Sequence, residues 1–148
     1  MISEAEFANL VHHFPALRDL ESEHRRLLCD VSQAVRVNRG SVIFDVGSAC
    51  ESFLLLTDGH VRVAAQTDSA REILLYRVEP GQLCVLTLSC ALGHEDYPAR
   101  GTVTEDSRAI AVPVGHFERL VSRSEVLRRL VFGSLSGRVH GLMALVEE

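Results

Sequence analysis

The sequence predicts a mainly β protein with flanking helices, in which short antiparallel strands form a sandwich or barrel. Three observations predict this class. Short β-branched runs with a period of two fill the middle of the chain, glycine-containing turns separate them at intervals of roughly 8–12 residues, and apolar residues at helical spacing occur on both sides. A chain of 148 residues is expected to form one core.

The composition is that of a globular chain and excludes several classes of protein. Hydrophobic residues make up 47% and charged residues 24% of the sequence, which is typical of folded domains. Residues 80–93, the longest nearly uncharged stretch, are too few and too polar for a membrane span. The first six residues, MISEAE, lack the basic start and apolar run of a secretory signal. We therefore expect a cytoplasmic protein without a membrane partner.

The first part of the chain is predicted to be helical. Ser3 and Glu6 have the spacing of a capping box, which marks the start of a first helix, and Phe14-Pro15 ends it. Leucines at helical spacing predict a second helix over residues 16–31, with charged side chains on its exposed face.

From residue 34 the period changes to two, and the sequence predicts a series of short strands. Gly40, Gly47, Gly59 and Gly81 occur in the turns that separate these strands, and each can adopt a positive φ. The predicted strands are residues 35–37, 42–44, 53–56, 61–64, 73–78 and 108–112.

After Pro113 the pattern returns to helix, first over residues 117–121 and then over about 126–146. Ser122 and Glu125 have capping-box spacing and are expected to open the longer helix. This helix carries an apolar row near heptad spacing, which predicts a homodimer interface. The row is Leu127, Val131, Leu135, Val139, Leu142 and Val146.

The same helix contains Gly133, Gly137 and Gly141, roughly opposite the apolar row. Each glycine in a helix interior costs about 0.8–1 kcal/mol relative to alanine. Close approach of the helix to the chain's own strands or to a second subunit would explain them. The alternative is a helix end that frays in isolation.

Three local motifs together carry a family resemblance. In residues 38–47 one glycine precedes an apolar strand and another follows it, residues 53–63 have the pattern of a hairpin with a turn glycine, and residues 78–83 form a strand end followed by a Glu-Pro-Gly turn. These motifs resemble, in order, the strand-turn-strand, the next hairpin and the start of the phosphate-binding cassette in the sensory domains of the Crp/Fnr family of transcription regulators. The resemblance covers nearly the whole chain.

This resemblance implies a cyclic-nucleotide-binding-like, double-stranded β-roll (jelly roll). Residues 1–121 would form the sensor domain with its N-terminal helices, and residues 122–148 the C-terminal dimerisation helix. The family places its DNA-binding helix-turn-helix after that helix, and this sequence stops before any such unit. The net charge of −5 also argues against DNA binding by this segment, because phosphate contacts need a basic face. We expect DNA contact only through a segment outside this sequence.

Two departures from the family pattern concern the nucleotide contacts. Cyclic AMP-binding members carry a Gly-Glu pair in the cassette, whose Glu takes the ribose hydroxyl, but Val85 and Leu86 stand there in this chain. The family's phosphate-binding Arg is replaced by Ala99, and Arg100 follows one position later. A one-residue shift in a strand turns a side chain to the opposite face. We therefore expect no tight cyclic-nucleotide binding, unless a bulge re-aims Arg100 toward some anion.

The cassette would then bind an unknown small-molecule effector or none. The predicted effector-binding residues are Gly81, Gln82, Leu83, Cys84, Val85, Leu86, Thr87, Arg100, Gly101 and Thr102.

Cys84 and Cys90 are candidate redox or electrophile sensors. A cassette helix would begin near Cys84, and thiols at a helix N-terminus have lowered pKa values. The alternative is that both are small buried core residues. A metal or a haem on His94 is a weaker alternative, because the Cys-x5-Cys-x3-His spacing is wider than that of paired zinc ligands. No metal site is assigned, and Cys29 and Cys50 are interpreted as packing or loop residues.

An enzyme is not expected, because the sequence lacks a glycine-rich phosphate loop, a nucleophile elbow and a His-Glu-x-x-His pattern. The predicted function is the effector-sensing and dimerisation domain of a Crp/Fnr-type regulator. The alternative is a stand-alone cyclic-nucleotide-like regulatory or interaction module without DNA binding.

Overall fold

The computed structural model describes the backbone of residues 1–147 and the side chains of residues 1–144. Seven strands in the middle of that range are flanked by helices on both sides, so the predicted fold class is confirmed. The elements are α1 (Glu4–His13), a 3-10 helix (Pro15–Asp19), α2 (Ser22–Val31), β1 (Gln33–Val37), β2 (Val42–Phe44), β3 (Ser52–Asp58), β4 (Val61–Gln66), β5 (Glu72–Val78), α3 (Val85–Gly93), β6 (Arg100–Val103), β7 (Ser107–Pro113), α4 (Val114–Arg123) and α5 (Glu125–Glu147).

The strands form two antiparallel sheets, ordered β1-β7-β3 and β2-β6-β4-β5. Strand β3 shows how the layers stack, because alternate residues of a strand point to opposite faces. Phe53 and Leu55 pack against the helices, whereas Leu54 and Leu56 pack between the sheets. The three-stranded sheet is thus covered on both faces, which explains why its central segment is continuously apolar.

Two hydrophobic cores result from this layering, so the expectation of a single core is wrong. We call the cluster between the helices and the three-stranded sheet the helical core, and the cluster between the two sheets the roll core. The helical core contains Ile2, Phe7, Leu10, Phe14, Leu17, Leu20, Leu28, Phe53, Leu55, Leu83, Leu88, Ile110, Val112, Phe117, Leu120, Leu127 and Val131. The roll core contains Phe44, Leu56, Val61, Val63, Val78, Cys84, Cys90, Tyr97, Ala99, Val103 and Ala109.

The four turn glycines adopt the positive φ that the sequence predicted. Gly59 shows why no other residue fits there, since a Cβ at this position would overlap Ser107 of β7. Gly81 has φ of 85°, and a Cβ there would lie 2.7 Å from the carbonyl oxygen of His13. The cassette turn therefore lies close against the end of α1, and a side chain at this position would not fit between them.

The starts of α2, α4 and α5 differ from the prediction, and α4 begins at Val114 rather than residue 117. Helix α2 begins at Ser22 rather than residue 16, because Leu20 and Glu21 have extended backbones that separate it from the 3-10 helix. Helix α5 is capped by Ser124, whose Oγ accepts a hydrogen bond from the Leu127 amide at 3.2 Å. Ser122 instead donates to the Arg119 carbonyl at the end of α4, so the capping box expected at Ser122 and Glu125 is wrong.

The glycines of α5 do not bring the helix against the rest of its own chain. No atom beyond the helix lies within 4 Å of where a Cβ would stand at Gly133, Gly137 or Gly141. The expectation of close approach to the chain's own strands is therefore wrong. The two alternatives, a second subunit and a fraying helix end, stay predictions.

Candidate effector site

The cassette turn sits between the two cores. The Gln82 amide donates to the Glu79 carbonyl at 3.0 Å, and the Glu79 amide donates to the Gln82 Oε1 at 3.0 Å. These two bonds close the turn around Gly81. The next two side chains then diverge, because Leu83 packs in the helical core and Cys84 in the roll core. The turn thus sends one side chain into each core.

The Tyr76 hydroxyl caps the start of α3. Cys84 is the N-cap residue of this helix but makes no side-chain cap bond. The Tyr76 hydroxyl instead accepts from the Leu86 amide at 2.8 Å, which satisfies one of the unpaired amides of the first turn. The same oxygen lies 3.2 Å from Cys84 Sγ, and its own proton is free to point there. Burial and the neighbouring thiol raise the pKa of Tyr76, so it stays a neutral hydroxyl.

The ring of Tyr76 also contacts α5. The guanidinium of Arg138 lies 4.6 Å from the centre of the Tyr76 ring, within the range of a cation–π interaction. Arg138 also donates to the Arg77 carbonyl at 3.1 Å. One side chain of β5 therefore joins the cassette helix to the long helix.

Two stacked aromatic rings fill much of the roll core. Phe44 and Tyr97 lie 4.1 Å apart between ring centres and within 7° of parallel. The Tyr97 hydroxyl donates to Thr87 Oγ1 at 3.2 Å, which ties the stack to α3. Gly101 makes room for the stack, because a Cβ there would lie 2.6 Å from the Phe44 ring. These contacts fill much of the space between the two sheets.

The space left inside is a cavity of about 50 Å³, lined mostly by apolar side chains together with Cys84 and Thr87. Pockets for drug-sized ligands span roughly 300–1,000 Å³. An outer groove of about 360 Å³ adjoins this cavity and is bordered by Asp45, Ser48 and Glu51. The site as it stands therefore has a small apolar interior and a wider polar mouth.

Ala99 and Arg100 occupy opposite faces where β6 begins. Ala99 is fully buried in the roll core, whereas the Arg100 side chain is 41% exposed. Arg100 forms a two-bond ion pair with Asp45, with Nε to Oδ1 at 3.0 Å and Nη2 to Oδ2 at 3.2 Å. Hydrogen bonding from this guanidinium lowers the pKa of Asp45. The arginine is thus directed out of the roll and already holds a carboxylate.

The remaining predicted cassette residues are in less direct contact with the cavity. Val85 and Leu86 are partly buried, and Leu86 packs against the roll core. Thr102 is also partly buried and pairs with Val42 and Arg62 across the four-stranded sheet. Of the predicted effector residues, Cys84 and Thr87 line the inner cavity.

The two candidate sensor thiols have different surroundings. Cys84 is buried but lines the cavity. Cys90 is buried six positions further along, and burial raises its pKa. The lowered pKa expected for a sensor thiol is therefore wrong for Cys90, because a thiolate is disfavoured away from water and away from the helix start.

His94 lies apart from this cavity. It ends α3 in a left-handed conformation with φ of 55°, and its exposed ring lies 3.0 Å from the Glu118 carboxylate. Among the side chains that the structure describes, the close group of metal-ligand types is Glu21, Glu23 and His24 at the start of α2. Cys84, Cys90 and His94 do not form such a group.

Comparison with known proteins shows the family to which this chain belongs. The family of the cyclic nucleotide-binding domain matches residues 34–124. The chain belongs to this family. A search of curated protein sequences finds no match. None of the helices within residues 1–147 combines the length and apolar character needed to cross a membrane.

Solved structures with this cyclic nucleotide-binding fold include several regulators. A Crp/Fnr-family transcriptional regulator from Eubacterium rectale is 24% identical, with a TM-score of 0.80 over 92% of this chain and 63% of that one. The sensor domain of the regulator DNR from Pseudomonas aeruginosa is 17% identical, with a TM-score of 0.73 over 95% and 93%. The regulatory subunit of a cAMP-independent protein kinase A from Trypanosoma brucei is 19% identical, with a TM-score of 0.69 over 80% and 43%. The chain spans less than two thirds of the Eubacterium protein.

The predicted dimer row of this cyclic nucleotide-binding domain divides into two parts. Leu127 and Val131 are buried in the helical core, so their assignment to a free interface is corrected. Leu135 is partly buried against the same core, whereas Val139 and Leu142 are exposed. Val146 lies outside the residues whose side chains are described.

Sequence reasoning missed the aromatic and polar residues that shape this domain's site. Phe44 and Tyr97 are 53 positions apart in the chain, and Tyr76 and Arg138 are 62 apart, so no local pattern links them. One signal was available. The chain has two tyrosines, and they flank the cassette on either side.

Proposed function

We propose that this chain is the sensing and dimerisation part of a Crp/Fnr-type transcription regulator whose effector is not cyclic AMP. Membership of the cyclic nucleotide-binding family and the shared fold support a regulatory role. In this proposal DNA is bound by a helix-turn-helix outside the present sequence, and the regulator works in the cytoplasm.

The observation that carries the proposal is the state of the roll interior. A cyclic nucleotide needs a cation for its phosphate, an acceptor for its ribose hydroxyl and room for its rings. Arg100 faces outward on Asp45, and an apolar side chain replaces the acceptor at Leu86. The Phe44–Tyr97 stack leaves about 50 Å³, far below the ~300 Å³ lower end for ligand pockets.

Calorimetric titration with cyclic AMP tests this part of the proposal. We expect no saturable heat up to about 1 mM ligand, a concentration that would reveal even a weak complex. Arg100→Gln serves as the control and should give the same trace as the parent chain. Saturable binding by the parent chain would refute the proposal, and its loss in Arg100→Gln would show that Arg100 holds the phosphate.

The dimerisation part rests on the second half of α5. Phe132, Val139, Leu142 and Met143 expose 64%, 53%, 63% and 59% of their surfaces. Val139 follows Phe132 by seven residues, and Leu142 and Met143 follow Val139 by three and four. These intervals place all four side chains on one side of the helix. Four large apolar side chains on one stripe favour a partner helix over water. We place the homodimer contact on this stripe, with Leu135 at its edge.

Sedimentation equilibrium tests the contact. Val139→Asp puts a charge in the stripe and should yield monomers with an unchanged far-ultraviolet circular dichroism spectrum. Ala144→Asp is the control, because Ala144 lies on another face of α5 and is already exposed, so this variant should stay dimeric. A Val139→Asp protein that still sediments as a dimer would contradict the proposed interface.

Coupling between site and dimer is proposed to pass through Tyr76. Its hydroxyl contacts Cys84 and the Leu86 amide, and its ring contacts Arg138 of α5. An effector that displaces the start of α3 would change the Arg138 contact and hence the position of α5. Couplings of this kind are typically about 1–3 kcal/mol.

Thiol chemistry at Cys84 is a second candidate for the sensing step, favoured by its position on the cavity wall. Cys90 is the weaker candidate because its thiol is buried and its pKa raised. Labelling with a maleimide under native conditions should modify Cys84 before Cys90. If neither residue reacts until the protein unfolds, thiol sensing is excluded.

A further inference from the structure

The inner cavity and the outer groove adjoin each other. Both are lined by Phe44, Leu54 and Tyr97. The outer part opens along the loop between β2 and β3. A molecule bound here would have one end in each part, so the two environments together define its chemistry.

The inner part selects a short apolar group. Its wall includes Leu56, Val61 and Val78, and its volume is about 50 Å³. An apolar cavity of about 150 Å³ holds benzene, so this space suits a small branched aliphatic tail rather than a ring. An aliphatic tail needs no hydrogen-bond partner in such a cavity. A water molecule does need polar partners, and an apolar wall provides few of them.

The outer part selects against an anion. Two carboxylates border the groove, those of Asp45 and Glu51. The guanidinium of Arg100 is already paired with Asp45. Within residues 1–144, the exposed Glu51 carboxylate forms no ion pair with any side chain. The groove therefore offers an unpaired negative charge close to the mouth of an apolar cavity, the reverse of a phosphate site.

We propose that this site binds a small organic cation with a short branched aliphatic tail, of the chemical class of the aliphatic amines. The tail occupies the inner cavity, and the ammonium group lies in the groove near Glu51. The Phe44 and Tyr97 rings at the junction add to the attraction, because aromatic faces attract cations. This inference rests on the proposed function and names the class of its effector.

Three probes of matched shape and different charge test the inference on the full chain. Isoamylamine is cationic, isoamyl alcohol neutral and isovalerate anionic near neutral pH. Methyl-labelled protein reports on the cavity through the resonances of Leu54, Leu56 and Val61. We expect these methyls to shift with the amine and the alcohol, with about tenfold tighter binding of the amine, and not with isovalerate.

Two variants distinguish the contribution of the Glu51 charge to binding from that of the apolar cavity. Glu51→Gln should remove the advantage of the amine and leave alcohol binding unchanged. Glu125→Gln, at the start of α5 and away from the groove, should change neither. Isovalerate binding as tightly as the amine would overturn the proposal, as would the absence of shifts at the three methyls with every probe. Neither result affects the proposed function, which fails instead if cyclic AMP binds.

Discussion

The helical core and the roll core each contain a pair of stacked aromatic rings, but the surroundings of the two pairs differ. Phe53 stacks on Phe117 in the helical core, and Phe44 stacks on Tyr97 in the roll core. In both pairs the ring centres are 4.1 Å apart and the ring planes are 7° from parallel. The first pair has no side-chain polar atom and is buried in a cluster of hydrophobic side chains. The second carries a hydroxyl bonded to Thr87 and borders a cavity.

This difference indicates that the helical core mainly stabilises the fold, whereas the roll core can respond to a ligand. A close-packed apolar core gains the most from burial and changes shape least. A core with thiols, hydroxyls and a cavity gives up part of that stabilisation, and it retains groups that can respond to a ligand. We therefore regard the helical core as the scaffold and the roll core as the responsive part.

The largest expected effect is in the scaffold. Phe53→Ala should lower the free energy of unfolding by about 3–5 kcal/mol, because a fully buried ring and its stacking partner lose contact in a site that cannot collapse. Urea unfolding followed by circular dichroism measures the change. A loss below about 1 kcal/mol would mean that this core is more adaptable than described.

A second effect is expected from overfilling the roll core. Gly101→Ala places a methyl group 2.6 Å from the Phe44 ring and should cost about 1–3 kcal/mol in unfolding free energy. Gly115→Ala in α4 is the matched control, because nothing lies within 4 Å of the added atom. The control should be neutral or stabilising. Equal losses in both variants would contradict the close contact at Phe44.

A smaller effect is expected from the hydroxyl of the roll stack. Tyr97→Phe keeps the ring on Phe44 but removes the hydrogen bond to Thr87. The free energy of unfolding should fall by about 0.5–1.5 kcal/mol, measured by urea unfolding at neutral pH. A loss of unfolding free energy as large as that of Phe53→Ala would show that the two cores tolerate substitution equally poorly.

The smallest effect concerns alkaline pH and the buried thiol of Cys90 in the roll core. Burial raises the pKa of Cys90, so the folded state keeps the thiol proton that the unfolded state loses. This contribution is fully present below the ordinary thiol pKa of about 8.5 and is lost as pH rises through the folded pKa. Unfolding free energy should therefore decline above about pH 8.5, and Cys90→Ala should reduce the decline. An identical pH profile in Cys90→Ala would refute this assignment.

Much of the fold could be predicted because its signals are local. The capping box at Ser3 and Glu6 is present, and the turn glycines and period-two runs place six of the seven described strands to within a few residues. Strand β6 was not among the predicted runs, because this four-residue segment is short and contains a glycine. The cap of α5 could not be resolved, because Ser122 and Ser124 are both serines near the same helix start. Only the observed hydrogen bonds distinguish them.

The site was less predictable because its key contacts join distant parts of the chain. The one-residue offset at Ala99 predicted an outward Arg100, but nothing local indicated Asp45 as its partner. The heptad row of α5 indicated an apolar face but not what covers it. Val131 meets the chain's own core, and Val139 does not.

Native-state hydrogen exchange tests the division between the cores most directly. The Phe14 amide, in the helical core, and the Leu86 amide, at the cassette, each donate a hydrogen bond of 2.8 Å, so bond length does not distinguish them. We expect the Phe14 amide to exchange only through global unfolding and the Leu86 amide through a smaller local opening, at least about tenfold faster. Equal exchange of the two amides would contradict the account.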